Sequence, residues 1–293
     1  MSRQFIDYSI AMVTPFNQEG EFLADSVAPL TQFYINQLKA PGLLVSGSTG
    51  EQHCLSLDER KQLYKIVGET APKGFPLYAG VAAFKTKYAI ELAQAAEQAG
   101  FSGIMLGVPP YRRPLQRELE SYVTEVANSI KLPFFLYNTP DSNGCQIEPE
   151  TFVRLASKLS NLRGLKDVGH PENVPKIQSL LGDEKINYSF FTGNDDEYVE
   201  LKTNYGYTSI TSMAANIFPV EMKQIFDYME NNEKDKAESI LNDLKSKIQT
   251  IGNMGYVQCI KYILRERGAP AGYCPPPLMD PSEEEKHYLK TFV

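Results

Sequence analysis

Short apolar runs bounded by Gly, Pro, Asn or Asp recur along the chain. The first four are Ser9-Ile10-Ala11-Met12-Val13, Gly42-Leu43-Leu44-Val45, Pro76-Leu77-Tyr78-Ala79-Gly80-Val81 and Gly103-Ile104-Met105-Leu106-Gly107-Val108. Four more follow: Pro133-Phe134-Phe135-Leu136-Tyr137, Leu162–Lys166, Tyr188–Thr192 and Thr208–Ser212. The runs are continuous, not alternating, which is the pattern of strands buried on both faces. Helical periodicity fills the gaps. One helix opens at Ser56 with Glu59 three residues on, a capping box, and continues through Leu63, Ile66 and Val67. Another opens near Thr86 and passes through Ile90, Leu92, Ala93 and Ala96 to a stop at Gly100.

Eight strands with intervening helices, repeating roughly every thirty residues, predict a (β/α)8 TIM barrel over residues 1–218. Strand signals then stop. Pro219–Met229, Glu233–Ile251 and Gln258–Arg267 read as helices ahead of Pro275-Pro276-Pro277, so residues 219–293 are expected to form a C-terminal helical extension packed on the barrel. A doubly wound open sheet is the competing α/β architecture, and it needs a reversal of strand order that a sequence does not display.

The 293 residues are 42% hydrophobic and 22% charged, ordinary globular proportions in a chain long enough for one large core or two modest ones. A net charge of −7 with no basic run argues against a nucleic-acid partner. No apolar run approaches the roughly 20 residues of a membrane span. The start, Met1-Ser2-Arg3-Gln4-Phe5-Ile6-Asp7, lacks the charged head, apolar stretch and cleavage site of a signal peptide. Cys54, Cys145, Cys259 and Cys274 form no CxxC pair and read as free buried thiols in place of a disulfide framework. A soluble, cytoplasmic protein is expected.

Composition also narrows the chemistry. His53, His170 and His287 are the only histidines and form no HxH pair, so a metal-dependent hydrolase lacks its ligands and no metal is expected. His53, beside the Gly47–Glu51 loop, is assigned to a rim. There is no GxSxG elbow and no GxGxxG dinucleotide fingerprint.

In a barrel of this kind catalytic residues come from the carboxyl ends of the strands and the loops after them. Those ends hold Thr14, Ser46–Glu51, Pro109–Arg113, Tyr137–Gly144, Lys166-Asp167, Gly193–Asp196 and Ser212–Asn216. Lys166 closes an apolar run. Desolvation at such a strand mouth favours the neutral amine that attacks carbonyls, although a strand-end lysine reaching to solvent fits the same pattern. Gly47-Ser48-Thr49-Gly50-Glu51 sets two hydroxyls between glycines, where backbone N–H and side-chain O–H groups converge on a small anion such as a carboxylate, or simply form a turn. Tyr137 ends the fifth run with a polar tip that needs a partner, structural or catalytic. Tyr111 lies in the loop after the fourth.

Gly47-Ser48-Thr49-Gly50-Glu51, Tyr137-Asn138-Thr139-Pro140 with Gly144 beyond, and Gly164-Leu165-Lys166-Asp167 occur in that order, each at a strand end. Together they resemble the dihydrodipicolinate synthase / N-acetylneuraminate lyase family of pyruvate-dependent class I aldolases. The resemblance runs through Gly193-Asn194-Asp195-Asp196 to Pro276-Pro277-Leu278. It implies that Lys166 is the Schiff-base lysine and that Tyr137 shuttles protons. It also implies that Ser48 and Thr49 hold the pyruvate carboxylate, and that Tyr111 reaches a neighbouring subunit's site to complete a relay with Ser48 and Tyr137. Gly50, Ser142, Gly193 and Ser212 complete the expected substrate-binding set. No cofactor is implied. The substrates would be pyruvate and an aldehyde, and the assembly a homodimer or homotetramer.

Several positions depart from the synthases. Ser142 falls where they carry an arginine for the carboxylate of aspartate semialdehyde, a contact whose loss costs on the order of 1.5–3 kcal/mol. Arg112 or Arg113 is a possible substitute from another loop. Asp141-Ser142-Asn143 offers polar groups suited to sugar hydroxyls, and Asp167 resembles the 2-keto-3-deoxy sugar acid aldolase branch. Pro110 replaces a tyrosine near the synthases' lysine-feedback site. A sugar acid aldolase or dehydratase therefore stands beside the synthase reading. A non-catalytic keto-acid-binding barrel is the alternative of another class, and the presence of Lys166, Tyr137 and Tyr111 together argues against it.

Overall fold

Eight strands alternate with helices along the chain in a computed structural model that describes residues 7–293. The Met1–Ile6 segment, read above for leader features, lies outside the described residues. The strands are β1 (Tyr8–Ala11), β2 (Leu43–Val45), β3 (Leu77–Val81), β4 (Gly103–Gly107), β5 (Phe134–Asn138), β6 (Leu162–Asp167), β7 (Ser189–Thr192) and β8 (Ser209–Ser212). They close into a barrel in sequence order, and the pairings resolved between neighbours are parallel. The open-sheet alternative is thereby excluded. The helices of the alternating part are α1 (Ala24–Asn36), α2 (Leu57–Thr70), α3 (Thr86–Gln98), α4 (Gln116–Asn128), α5 (Pro140–Asn143), α6 (Pro149–Lys158), α7 (Asn173–Leu181) and α8 (Tyr198–Tyr205). Four more follow β8: α9 (Pro219–Glu230), α10 (Lys234–Asn253), α11 (Tyr256–Glu266) and α12 (Glu283–Leu289).

The Ser56–Glu59 capping box forms at the start of α2: the Glu59 carboxylate accepts from Ser56 N–H at 2.7 Å, and Ser56 Oγ accepts from Glu59 N–H at 3.3 Å. Two orphan donors of the helix start are satisfied within one turn. Among the described residues, no helix is long and apolar enough to cross a membrane.

Two compact units divide the chain. One is built on Pro76–Thr211, the other on Tyr8–Phe75 with Ser212–Val293. In the first, Tyr78, Phe135 and Phe191 from β3, β5 and β7 meet edge to face, with ring centres 5.2–6.4 Å apart. Bulky side chains from alternate strands filling one layer are the usual core of such a barrel. This layer forms an apolar floor for what lies at the strand ends. In the second unit, α1 and α2 pack against each other, and their Val27, Leu30, Leu63 and Val67 are all buried. Buried Asn216 ties the turn after β8 to β1 by donating to Ala11 O at 3.0 Å and accepting from the Tyr34 hydroxyl.

The four cysteines are free, and Cys145, Cys259 and Cys274 are buried as expected. Cys54 is exposed, because it closes a single 3-10 turn (Gln52–Cys54) on the surface.

Candidate active site

In the first unit, β5 and β6 run in register with Tyr137 beside Lys166 and Asn138 beside Asp167. A bulge sets that register: Phe134 stands beside Leu162, but Phe135 stands beside Gly164, so Arg163 is an extra residue in β6. Without it, Leu165 and not Lys166 would stand beside Tyr137. A bulge next to a functional side chain re-aims it in this way. Gly164 makes the geometry possible, since a Cβ there would lie 1.9 Å from Ser189 O on β7.

Lys166 is buried (7% exposed), and its ammonium lies 4.7 Å from the centre of the Tyr137 ring. Gly193, just past β7, also lies close to Lys166. A Cβ at that position would sit 3.1 Å from Lys166 Cε and 3.4 Å from Nζ. Any side chain at this position would press on the amine, so glycine lets the backbone after β7 approach Lys166 closely. The structure brings Lys166, Tyr137 and Gly193 together.

Both strands continue one residue beyond the predicted ends, and those residues form a buried polar layer the sequence did not reveal. Asp167 accepts from Asn138 Nδ2 at 3.0 Å, from Gly169 N–H at 2.7 Å and from Asn173 Nδ2 at 3.5 Å. Burial pushes the Asp167 carboxyl up from the usual aspartate range, and the three donors oppose that shift. Asn138 Oδ1 in turn accepts from Ile147 N–H at 2.9 Å, which fastens the loop after β5.

Tyr111 and Ser142 lie in the segments that follow β4 and β5. Tyr111 is 88% exposed at the centre of a tight turn closed by Arg112 N–H to Pro110 O at 2.8 Å, with φ at +69°. That conformation is strained for a bulky side chain. Ser142 is exposed in α5.

The Gly47–Glu51 loop belongs to the second unit. Ser46 and Glu51 bracket it, both with positive φ (+59° and +50°). Four contacts hold this conformation. Thr14 Oγ1 donates to Gly50 O at 2.7 Å, and Arg60 donates from Nε to Ser46 Oγ at 3.1 Å and from Nη2 to Gln52 Oε1 at 2.8 Å. Glu51 forms a fully buried ion pair with Lys261 of α11, whose ammonium also donates to Tyr273 O at 2.7 Å. Burial lowers the Lys261 pKa, and the Glu51 carboxylate opposes that shift. With Glu51 N–H turned back to Ser48 O at 3.0 Å, the N–H groups of Ser48, Thr49 and Gly50 donate to nothing among the described residues. Three free adjacent N–H groups make a concavity suited to an anion. Ser48 is exposed and Thr49 buried.

Ser212, in the same unit, is buried and accepts from Ala215 N–H at 2.9 Å, so one lone pair serves the turn after β8. His53 is exposed. No group of three or more His, Cys, Asp or Glu side chains among the described residues is arranged to hold a metal ion.

Arg60 and Lys261 escaped the sequence reading, and Asn138 entered it only as part of the Tyr137–Pro140 motif. For Lys261 a signal existed: it sits in the apolar run Cys259-Ile260-Lys261-Tyr262-Ile263-Leu264, where a lysine must find a buried partner.

Residues 4–293 match the model of the dihydrodipicolinate synthetase family. The 4-hydroxy-tetrahydrodipicolinate synthase of Lactobacillus helveticus is 30% identical over 281 residues, covering 96% of this chain and 88% of its own. That of Chlorobium phaeobacteroides is 30% identical, covering 99% and 97%. Among solved structures, CdNal of Clostridium difficile, in complex with mannosamine, superimposes with a TM-score of 0.90 at 26% identity, covering 97% of this chain and 96% of that one. YagE, a prophage protein of E. coli K12 in complex with pyruvate, gives 0.89 at 25% identity, covering 98% and 97%. With its barrel, its strand-end lysine and a match over almost its whole length, the chain belongs to the dihydrodipicolinate synthetase family.

Proposed function

We propose that Lys166 forms a Schiff base with pyruvate, and that this lyase of the dihydrodipicolinate synthetase family condenses pyruvate with an aldehyde or releases it from the adduct. The observation that carries the reading is the buried Lys166 amine at its strand end, over the Tyr137 ring and close against Gly193. The amine adds to the pyruvate carbonyl and water leaves, giving a protonated imine. The imine draws electrons from the adjacent methyl group, which loses a proton and becomes an enamine. The enamine carbon bonds to the aldehyde carbon, whose oxygen takes up a proton. Water then hydrolyses the imine and frees Lys166. Tyr137, beside the amine, serves as the acid and base for these transfers.

Ser48 and Thr49, with the free N–H groups of their loop, hold the pyruvate carboxylate in this scheme. Gly50, Gly193 and Ser212 line the substrate space. Tyr111, exposed and in a strained turn, is suited to a site shared with a second copy in a homodimer or homotetramer. The enzyme is assigned to the cytoplasm.

A 2-keto-3-deoxy sugar acid aldolase is the second reading. Ser142, a neutral hydroxyl on the α5 turn where the synthases carry arginine, favours it.

The test is borohydride reduction in the presence of pyruvate, followed by intact and peptide mass spectrometry. A reduced pyruvyl adduct on Lys166, missing from Lys166→Ala, is the expected result. No adduct under conditions that trap an established aldolase would overturn the mechanism and leave a keto-acid-binding barrel.

A further inference from the structure

The loop after β4 carries an arginine with no counter-charge. Arg113 is exposed and has a positive φ of +47°, two residues beyond the strained turn at Tyr111. Its side chain lies across Gly144, which caps α5 with φ +68°: a Cβ on Gly144 would meet Arg113 Nε at 2.7 Å and Cγ at 3.3 Å. The guanidinium is therefore laid on the turn that carries Ser142. Among the described residues it makes no hydrogen bond and no ion pair, although Asp141 lies on the same turn.

The placement is built. Downstream of Arg113, Cys145 Sγ donates to Pro114 O at 3.3 Å and Gln116 Nε2 donates to Gln146 O at 2.8 Å. Glu148 N–H donates to Gln116 Oε1 at 3.2 Å. Three contacts thus clamp the β4 loop onto the segment that follows Gly144. Two left-handed non-glycine residues within three positions persist only where the surroundings determine them, and such strain gathers at ligand clamps. Both loops leave the carboxyl ends of their strands, the end at which Lys166 and Tyr137 lie. A planar, permanently charged guanidinium laid against Gly144 with its donors free matches carboxylate or phosphate.

We infer that Arg113 sets the specificity for the second substrate by taking a terminal anionic group, carboxylate or phosphate, on the aldehyde that meets the Lys166-bound pyruvate. This rests on the Schiff-base reading. Charge recognition that Ser142 cannot supply from α5 is supplied from the neighbouring loop, and the aldehyde is of the anionic class, not a neutral sugar.

Steady-state condensation with pyruvate tests it, with succinic semialdehyde as the carboxylate probe and D-glyceraldehyde 3-phosphate as the phosphate probe. D-glyceraldehyde and butanal are the neutral probes. Native enzyme is expected to prefer an anionic aldehyde, and the probe used best names the anion. Arg113→Ala is expected to raise KM for that aldehyde about 10- to 100-fold, with kcat and both neutral aldehydes little changed. Arg113→Lys recovers part of the loss, and Arg113→Ala with Ser142→Arg recovers more, because the charge returns to the same turn. Borohydride trapping with pyruvate alone is run on every variant. Adduct formation with no preference for anionic aldehydes in the native enzyme, or an equal loss on charged and neutral aldehydes in Arg113→Ala, would overturn this inference alone. Absence of adduct in the native enzyme would overturn the Schiff-base reading and this inference with it.

Discussion

The Lys166 ammonium lies over the face of the Tyr137 ring, 4.7 Å from its centre. Ring and hydroxyl therefore have separable duties. Tyr137→Phe keeps the face that shelters the amine and removes only the hydroxyl, the proposed proton carrier. Borohydride should still trap pyruvate on Lys166 in this variant, while turnover falls by about 10²- to 10⁴-fold, the usual worth of a positioned acid or base. Equal turnover in Tyr137→Phe and the native enzyme would remove Tyr137 from the mechanism.

Gly193→Ala tests the space around the amine. The added methyl would approach Lys166 Cε at 3.1 Å and Val168 Cγ1 at 3.0 Å, tight contacts that displace the lysine by a few tenths of an ångström. Small misplacements of a reacting group are costly. A fall of at least about ten-fold in the rate of adduct formation is expected, with the melting temperature near native.

Lys261→Met leaves the buried Glu51 carboxyl without its partner. Removing one member of a buried pair costs about 3–5 kcal/mol, whereas replacing both is far milder. Denaturant titration should show a large loss for Lys261→Met and substantial recovery in the double variant with Glu51→Gln. Equal losses would mean the pair is not coupled.

Asp167 gives stability a pH dependence of definite sign. Its folded pKa is raised above the ordinary value of 3.8, so the native state binds more protons than the unfolded chain just above that pH. Its contribution is complete below 3.8 and is lost as pH rises through the higher folded value. Asp167→Asn should lack that part of the decline in a series of denaturant titrations from pH 4 upward. An unchanged slope would show that Asp167 keeps its ordinary pKa.

Native protein treated with a thiol reagent near neutral pH should label Cys54 first. Burial pushes Cys259 and Cys274 up to about 12, leaving almost no thiolate, while Cys54 is only partly covered and carries the weaker effects of burial and the Glu51 charge. Peptide mapping after a short reaction checks this, and prior labelling of Cys274 would contradict the burial described here.

Much of the fold could be read in advance because strands buried on both faces announce themselves as uninterrupted apolar runs. All eight appear within about two residues of their predicted ends. Ser56 and Glu59 were equally legible, since a capping box acts within a single turn. The bulge at Arg163 was not. One additional residue leaves the run Leu162–Lys166 looking like any other strand, yet it decides which side chain faces Tyr137. Register is a property of two strands, and a sequence displays them one at a time. The same holds for Glu51 with Lys261 and for Asn138 with Asp167. Each partner has an innocent local reading, and only their meeting gives them meaning.

That Glu51 is answered by Lys261 bears on the order in which the protein matures. The Gly47–Glu51 loop follows β2, and the charge that pairs with its last residue is on α11. A chain emerging from the ribosome completes its strands long before it acquires that lysine. A fragment lacking α11 would have its barrel strands and Lys166, but Glu51 would lack its ion-pair partner at the end of the Gly47–Glu51 loop. The Gly47–Glu51 loop thus gains its last anchor late, after the barrel strands themselves.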